Sequence, residues 1–401
     1  MNKAHRVIWS SVRCAFVVTD EHGKTRGKPS STRKALATAI ALGLGSLVGV
    51  PYALADGIVL DHTSTPGNVV NPGPLLATNG ITINSSTVGG SVLNPGNIVS
   101  DLDAITATNS VIAGDIKLQG STSGGADALS LSGTTVGGSI NNTGTLWGQT
   151  NGIHLDTSVL GGDITNSNQL LEGATAINVT DSSVGSIINT GKLNGLGVGS
   201  TGVLVQGSTL RGNLDNENVI TAFYGLHVTD GSTIDGSIIN KGNIVGQWYA
   251  VAVDGSHVVG DVDLSGSASG GADAVTLTNS TIDGAVNNTG TVWGRDVGVL
   301  VSATQIAGNV SNSNLIQGGD VGLQVQGSTL GSLVNSGSIS GATGISLVNA
   351  AGQTGSSGQT TLNGDLANLG SGVISATGTG VSADGVLIKG SLINNGLISS
   401  T

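Results

Sequence analysis

Aliphatic and polar residues alternate in short runs along this chain, and the runs repeat about every 24 residues. In one unit the aliphatic residues are Ile81, Ile83, Val88, Val92 and Ile98, with Gly, Asn and Ser between them. This alternation predicts short strands separated by turns and has nothing of helical period. A period of roughly 20 to 50 residues is typical of repeat architectures. We therefore predict that each unit is one coil of a parallel β-solenoid.

A small residue opens each unit, directly before a pair of alternating aliphatic residues. The thirteen openings are Gly80, Ala104, Ala128, Gly152, Ala176, Gly202, Gly225, Ala250, Ala274, Gly298, Gly322, Gly344 and Gly380. The predicted fold class is all-β, a right-handed parallel β-helix with about 24 residues per coil and about 13 coils. It extends over residues 80–401, and residues 56–79 are interpreted as a cap or lead-in.

One asparagine in most units begins the motif Asn-x-Gly/Asn-x-aliphatic, and Leu118 and Leu264 stand where two further copies are due. Because leucine can replace the asparagine, we predict that this position faces inward. A buried amide needs partners, and Asn both donates and accepts, so its copies should form a ladder between coils. Gly or Asn two places on tolerates positive φ, which predicts a corner there. The predicted ladder is Asn94, Asn142, Asn166, Asn189, Asn216, Asn240, Asn288, Asn312, Asn335, Asn368 and Asn394.

A longer duplication overlies the coil repeat. Residues 124–128 return as residues 270–274, and residues 142–148 return, with one conservative change, as residues 288–294. Both displacements are 146 residues, which is about six coils. Coils can be added in blocks when each repeat contacts only its neighbours.

The first 55 residues differ from the rest and form a predicted signal peptide. They hold eight of the 14 Lys and Arg residues, and Arg33 and Lys34 precede an apolar run over residues 35–50. The small residues Ala53 and Ala55 fit a cleavage site, so the mature chain should begin at Asp56.

The leader also carries a recognisable sequence at its start. Residues 1–3 are Met-Asn-Lys, residues 6–9 are Arg-Val-Ile-Trp and residues 27–28 are Gly-Lys. They resemble the extended signal peptide region of type V secretion proteins of Gram-negative bacteria. The repeat region resembles the β-helical passenger domains of classical autotransporters, particularly the adhesin-like ones.

The resemblance implies export by the Sec translocon and passage through an outer-membrane translocator barrel to the cell surface or the medium. Classical autotransporters carry that barrel after the passenger, whereas this sequence stops at Thr401 inside the predicted last coil. We expect a passenger truncated at its C-terminal end, which would remain periplasmic if no barrel is encoded downstream. A two-partner secreted exoprotein is the alternative, since residues 71–73 and 94–96 are similar to the Asn-Pro motifs of that family.

Composition narrows the possible partners. After residue 55 there is no cysteine, which suits a chain that must pass a narrow pore without disulfides. The same region has six basic and 23 acidic residues, a net charge of −17 with histidine neutral. Such a charge argues against nucleic acid as a partner.

Candidate chemistry is sparse, and we predict no catalytic, cofactor-binding or metal-binding residues. The histidines His62, His154, His227 and His257 are interpreted as solvated surface side chains. His154 and His227 should occupy one outward position three coils apart, about 14 Å, too far to share a zinc ion. The alternative is a β-helical polysaccharide-acting enzyme or toxin effector that uses paired carboxylates. The candidate pairs are Asp101 with Asp103 and Asp261 with Asp263.

Aromatic residues gather at one corner. Phe223 and Tyr224 precede one coil opening, and Trp248 and Tyr249 precede the next, so the two pairs should stack. Such a ladder either stiffens the corner or forms a contact patch for a glycan or protein. Trp147 and Trp293 should lie six coils apart, about 29 Å, and cannot join one site.

The function predicted from the sequence is that of a secreted, non-enzymatic adhesin or self-associating rod. Its partners would be a host surface, a glycan or a neighbouring copy, and no cofactor is expected. Functional residues should lie where the repeat is broken: at the aromatic corner and in the irregular insertion between Gly344 and Gly380.

Overall fold

The computed structural model describes residues 5–10, 15–20, 57–195, 197–350 and 358–401. The predicted cleavage site at Ala53, Ala55 and Asp56, and residues 351–357 of the predicted insertion, lie outside these ranges. The chain forms two units, residues 1–51 and residues 52–401. In the first unit, the strand His5–Ser10 pairs antiparallel with Ala15–Asp20.

The second unit is a parallel β-solenoid of about 14 coils, built from three sheets. Each coil contributes a strand to a wide sheet, a two-residue strand to a narrow sheet, a strand to a ladder sheet, and a second strand to the wide sheet. Every strand pair in the solenoid is parallel; Ile105, for example, pairs with Ile81 below and Leu129 above. The predicted all-β coil and its period of about 24 residues are confirmed.

The wide sheet contains 24 strands. They are Ile58–Asp61, Leu75–Ala77, Ile81–Asn84, Ile98–Ser100, Ile105–Thr108, Thr122–Gly124, Leu129–Ser132, Leu146–Gly148, Asn151–Asp156, Gln169–Glu172, Thr175–Thr180, Lys192–Gly195, Thr201–Gln206, Val219–Thr229, Asn243–Asp254, Ser267–Gly270, Val275–Thr278, Thr291–Gly294, Val297–Ser302, Leu315–Gly318, Val321–Gln326, Ser338–Val348, Val373–Asp384 and Leu397–Ser400. At four coil boundaries the second wide-sheet strand of one coil and the first of the next are fused into one strand of 11 or 12 residues.

The narrow sheet and the ladder sheet contain 14 strands each. The narrow-sheet strands are Ser64–Thr65, Thr87–Val88, Val111–Ile112, Thr135–Val136, Val159–Leu160, Ser183–Val184, Thr209–Leu210, Thr233–Ile234, His257–Val258, Thr281–Ile282, Gln305–Ile306, Thr329–Leu330, Thr361–Leu362 and Leu387–Ile388. The ladder-sheet strands are Val69–Val70, Val92–Asn94, Ile116–Leu118, Ile140–Asn142, Ile164–Asn166, Ile187–Asn189, Leu214–Asn216, Ile238–Asn240, Val262–Leu264, Val286–Asn288, Val310–Asn312, Leu333–Asn335, Leu366–Asn368 and Leu392–Asn394.

The count of coils exceeds the predicted thirteen because the segment interpreted as a lead-in is itself a coil. Its four strands pair in parallel with those of the next coil; Ile58, for example, pairs with Ile81 and Val69 with Val92. The described residues include no helix, and therefore none that could cross a membrane.

The glycine of Asn-x-Gly has a different role from the one predicted. In the described coils the glycines at this position, such as Gly144 and Gly290, do not have positive φ. Most residues with positive φ lie instead in the turn before the narrow sheet, for example Asn109 and Gly133. A Cβ on Gly144 would meet the carbonyl oxygen of Gly120 in the coil before it. Glycine is needed here because two backbones approach closely.

The core is a column of aliphatic side chains that runs through all the coils. Alternate residues of each strand face inward, as Ile153 and Leu155 do in their strand, and both of these are fully buried. The coil openings are small because they face the neighbouring coil: a Cβ on Gly225 would meet Ile244 and the carbonyl oxygen of Ala250. Functional groups must therefore lie on outward positions or at breaks in the repeat.

Candidate functional site

The predicted asparagines form a side-chain ladder inside the ladder sheet. The Nδ2 atom of Asn142 donates to Oδ1 of Asn166 at 2.7 Å, and Asn166, Asn189 and Asn216 each donate to the next asparagine at 2.8 Å. A second run begins with Asn288 and has distances of 2.8 or 2.9 Å. All of these side chains except the terminal Asn394 are buried. The ladder stabilises the scaffold because it satisfies buried amides.

The two leucines interrupt this ladder, and the amides beside them find other partners. Leu118 pairs with Asn94 and Asn142, and Asn94 donates to Oγ1 of Thr122 at 2.8 Å instead. Above the break, Oδ1 of Asn142 accepts from the backbone N–H of Gly144 at 3.2 Å. At the break beside Leu264, Asn240 donates to the backbone carbonyl oxygen of Ser267, and Asn288 accepts from the backbone N–H of Gly290.

Sequence analysis missed one member of the ladder and two further ladders. Asn71 donates to Asn94 at 2.8 Å, and its own sequence, Asn-x-Gly-x-Leu, has the full motif. At the corner before the narrow sheet, a hydroxyl in most coils accepts from the backbone N–H one coil earlier. These hydroxyls belong to Ser86, Ser110, Thr134, Ser158, Ser182, Ser208, Ser232, Ser280, Thr304, Ser328 and Thr360.

The third ladder lies at the corner before the ladder sheet and contains one candidate catalytic carboxylate. Asp261 accepts from the backbone N–H of Ala285 at 2.6 Å, and its own N–H donates to Oγ of Ser237 at 2.9 Å. Asp115 and Asp163 occupy the same corner and accept a backbone N–H in the same way. Asp261 therefore has the role of a corner carboxylate.

Two of the other three candidate carboxylates are also held by neighbours in adjacent coils. Asp263 accepts from Nδ2 of Asn287 at 2.9 Å. Asp103 accepts from the backbone N–H of Asp127 at 3.0 Å, and burial raises the pKa of Asp103. Asp101 is exposed. The described residues hold no group of three or more His, Cys, Asp or Glu side chains that could bind a metal ion.

The interpretation of His154 as a solvated side chain is wrong. Its Nδ1 lies 3.1 Å from Oδ2 of the buried Asp127, and Asp127 also accepts from the backbone and side chain of Asn151. This hydrogen bond raises the pKa of His154, and the nearby carboxylates of Asp156 and Asp103 add to the effect. Together these groups form a half-buried polar cluster on the wide sheet.

His227 occupies the outward register position of His154 three coils away, as predicted. The interpretation of His227 as a solvated side chain is also wrong, because the ring is half-buried and desolvation lowers its pKa. Its ring stacks on Tyr224, with centroids 5.3 Å apart. His62 and His257 lie at the surface beside Asp61 and Asp283.

The aromatic residues of the predicted corner lie in contact, and we call Phe223, Tyr224, Trp248 and Tyr249 the aromatic junction. Phe223 and Trp248, in adjacent coils, have nearly parallel rings with centroids 5.9 Å apart. Tyr224 and Tyr249 also have centroids 5.9 Å apart, and rings within one coil meet edge to face. Trp248 is 41% exposed.

A β-bulge positions this junction. The strand Val219–Thr229 pairs with Asn243–Asp254, but Ala222 pairs with Gly246 while Tyr224 pairs with Tyr249. Phe223 alone therefore opposes two residues, one of which is Trp248. Bulges re-aim side chains and are common beside functional sites. The described solenoid has one other such shift, between Gly341 and Thr343, and no aromatic residue lies there.

Trp147 and Trp293 share the outward column of the second wide-sheet strand and lie six pairings apart along it. Trp293 is 41% exposed, the same fraction as Trp248. Trp147 and Trp293 therefore stand singly on the face beside the aromatic junction.

Comparison with known families assigns the amino-terminal region. Residues 1–50 match the family model described as Extended Signal Peptide of Type V secretion system. Comparison with curated proteins and with solved structures found no match. The chain thus begins with a type V export signal, which implies Sec-dependent export and a type V translocator as partner. The β-solenoid that follows fits a secreted autotransporter passenger.

Proposed function

We propose that this exported passenger is a non-enzymatic adhesin, a rod that holds the aromatic junction against another surface. The observation that carries the proposal is the partly exposed ring group at a β-bulge, with Trp248 at its surface. Exposed aromatic side chains with both apolar and polar edges are enriched where proteins bind partners. The partner is a host surface, a glycan or a neighbouring copy.

The regular faces of the rod support contact over a long surface. Outward positions of the wide sheet carry small polar residues in many coils, such as Ser130, Ser269 and Ser340. Many weak contacts along a rod add through avidity, without any single deep pocket.

The carboxylate arrangement favours an adhesin over an enzyme. Asp261 belongs to a structural ladder, and Asp263 is hydrogen bonded to Asn287. A general acid and base need carboxylates whose environments differ and which face one substrate space. An enzyme of this fold would require a different set of residues.

Surface display tests the proposed function. Bacteria that display the complete protein should clump, or adhere to host cells or matrix, more than bacteria carrying a matched vector in which residues 57–401 are deleted. Surface exposure is checked with an antibody against the solenoid. Equal clumping and adhesion by the two strains, with the protein on the surface, contradicts the proposal.

A further inference from the structure

The aromatic junction sits beside polar groups that reach the same surface. His227 stacks on Tyr224, and the carboxylates of Asp254 and Asp230 act electrostatically on His227. Asp273 acts in the same way on Tyr249 and keeps its own side chain in place by accepting from the N–H of Val297 at 3.1 Å. Ring faces and hydrogen-bonding groups are therefore combined in one small area.

This combination matches the chemistry of a sugar ring. A pyranose has an apolar C–H face, which packs on an aromatic ring, and a rim of hydroxyl groups, which donate to carboxylates and accept from imidazole or phenol groups. Trp248 is packed against Phe223 and yet 41% exposed, so part of its surface remains open to such a face. A purely apolar partner would cover the adjacent carboxylates and His227 without meeting their remaining hydrogen-bonding capacity, which is unfavourable.

The site continues along the rod. The outward column next to the junction carries His154, Asn178, Leu204 and His227, one residue per coil, and each is partly exposed. Successive coils are about 4.8 Å apart, close to the length of one sugar unit in an extended chain. A linear glycan lying parallel to the rod axis would meet a new side chain at each unit.

The negative charge of the rod determines which glycans or proteins the junction can bind. Residues 56–401 carry a net charge of −17, and the junction has Asp230, Asp254 and Asp273 close by. An anionic polysaccharide would be repelled, and a second copy of this chain would bring the same negative charge. A neutral glycan avoids both costs.

From this arrangement we propose that the aromatic junction, together with His227, binds a neutral linear glycan that lies along the rod. The inference rests on the proposed adhesive function and names the chemistry of its ligand. The binding site extends toward the column of His154 and Asn178, and the aromatic rings supply most of its affinity.

The test measures binding of purified full-length exported protein to linear hexasaccharides by titration calorimetry. The neutral probes are hexamers of glucose, mannose, galactose and N-acetylglucosamine, and the anionic probe is a hexasaccharide containing uronic acid. At least one neutral probe should bind, and the anionic probe should bind far more weakly. Trp248→Ala should weaken the neutral binding about tenfold or more, because stacking and burial of one ring are lost.

Trp293→Ala is the matched control, because Trp293 has the same exposed fraction on the same sheet and lies two coils beyond the junction, on the side opposite to His154. It should bind like the wild type. Trp248→Phe keeps a ring and should retain most of the binding, which separates loss of contact from loss of folding. Circular dichroism checks that each variant keeps its β-structure.

Three results would overturn the proposal. One is failure of every neutral probe to bind, and another is equal binding by Trp248→Ala and Trp293→Ala. The third is loss of self-association in Trp248→Ala, measured by sedimentation, without any glycan binding, which would make a second copy the ligand. If cells displaying the protein still adhere in these cases, the adhesive function stands and only the glycan site fails.

Discussion

At the scale of single residues, the asparagine ladder shows how a buried amide is tolerated in a β-solenoid. Asn216 accepts from Asn189 and donates to Asn240, both at 2.8 Å, and also donates to the carbonyl oxygen of Asn218. Leu264 occupies the same position two coils later without unsatisfied amides around it. The cost of a leucine therefore depends on its neighbours.

Exchange of these residues gives a prediction. Asn216→Leu leaves the amides of Asn189 and Asn240 short of partners and should destabilise the surrounding coils by about 1 to 3 kcal/mol. Leu264→Asn joins two ladder segments, so new hydrogen bonds offset most of the lost apolar burial, and stability should stay within about 1 kcal/mol of wild type. Native-state hydrogen exchange of the ladder-sheet amides measures both effects. Equal destabilisation by the two variants would contradict the role assigned to the ladder.

The pKa values of the two half-buried histidines should be shifted in opposite directions from the ordinary value. The hydrogen bond to Asp127 raises the pKa of His154, so its protonated form stabilises the fold below about pH 6.5, and this stability is lost as the pH rises through the folded-state pKa. Desolvation lowers the pKa of His227, so its protonation destabilises the fold as the pH falls through its folded-state pKa.

NMR titration of the imidazole protons should therefore place His154 above and His227 below the ordinary histidine value. Asp127→Asn should lower the pKa of His154 and leave the pKa of His227 unchanged. A titration order that is reversed, or a His154 midpoint insensitive to Asp127→Asn, would show that the half-buried polar cluster is wrongly described.

Residue patterns gave the ladder but not every partner within it. Asn71 was recognisable, since its motif is complete, and the Ser and Thr hydroxyls repeat with the period of the coil. The contact of His154 with Asp127 could not be recognised in the sequence, because the two residues are 27 apart and so do not occupy equivalent positions of a repeat of 24 residues. The side chain reaches across the coil boundary, which only the three-dimensional arrangement reveals.

At the scale of strands and turns, sequence alternation predicted which residues face inward, because burial of one strand face imposes a period of two. It did not predict the role of Gly144, since a glycine is equally compatible with positive φ and with close backbone approach. The bulge beside Phe223 was visible only as a spacing of 25 residues between Gly225 and Ala250. An extra residue can enter a loop or a strand, and the sequence does not say which.

At the scale of the whole molecule, the solenoid is a stack in which each coil contacts its neighbours, so stability should add coil by coil. The duplication of 146 residues keeps equivalent residues at equivalent positions of the coil. Residues 124 and 270, for example, are glycines that end corresponding strands six coils apart. A block between them can therefore be removed without disturbing the register.

Deletion of residues 125–270 should give a folded rod shorter by about six coils, or roughly 29 Å. Small-angle scattering measures the length, and circular dichroism measures the β-structure. Deletion of residues 125–258 is the control, because it removes a similar mass but joins strands of different phase. Folding of both variants, or of neither, would contradict the neighbour-only description of the stack.

The direction of the asparagine ladder has a consequence for how pieces of the rod could rejoin. Along each run the Nδ2 group points toward the following coil and the Oδ1 atom toward the preceding one, as between Asn166 and Asn189. A cut between two such coils exposes amide donors on one fragment and amide acceptors on the other. The two new surfaces are complementary but not interchangeable, so the ladder favours reassembly of the fragments in their original order and disfavours pairing of two identical halves.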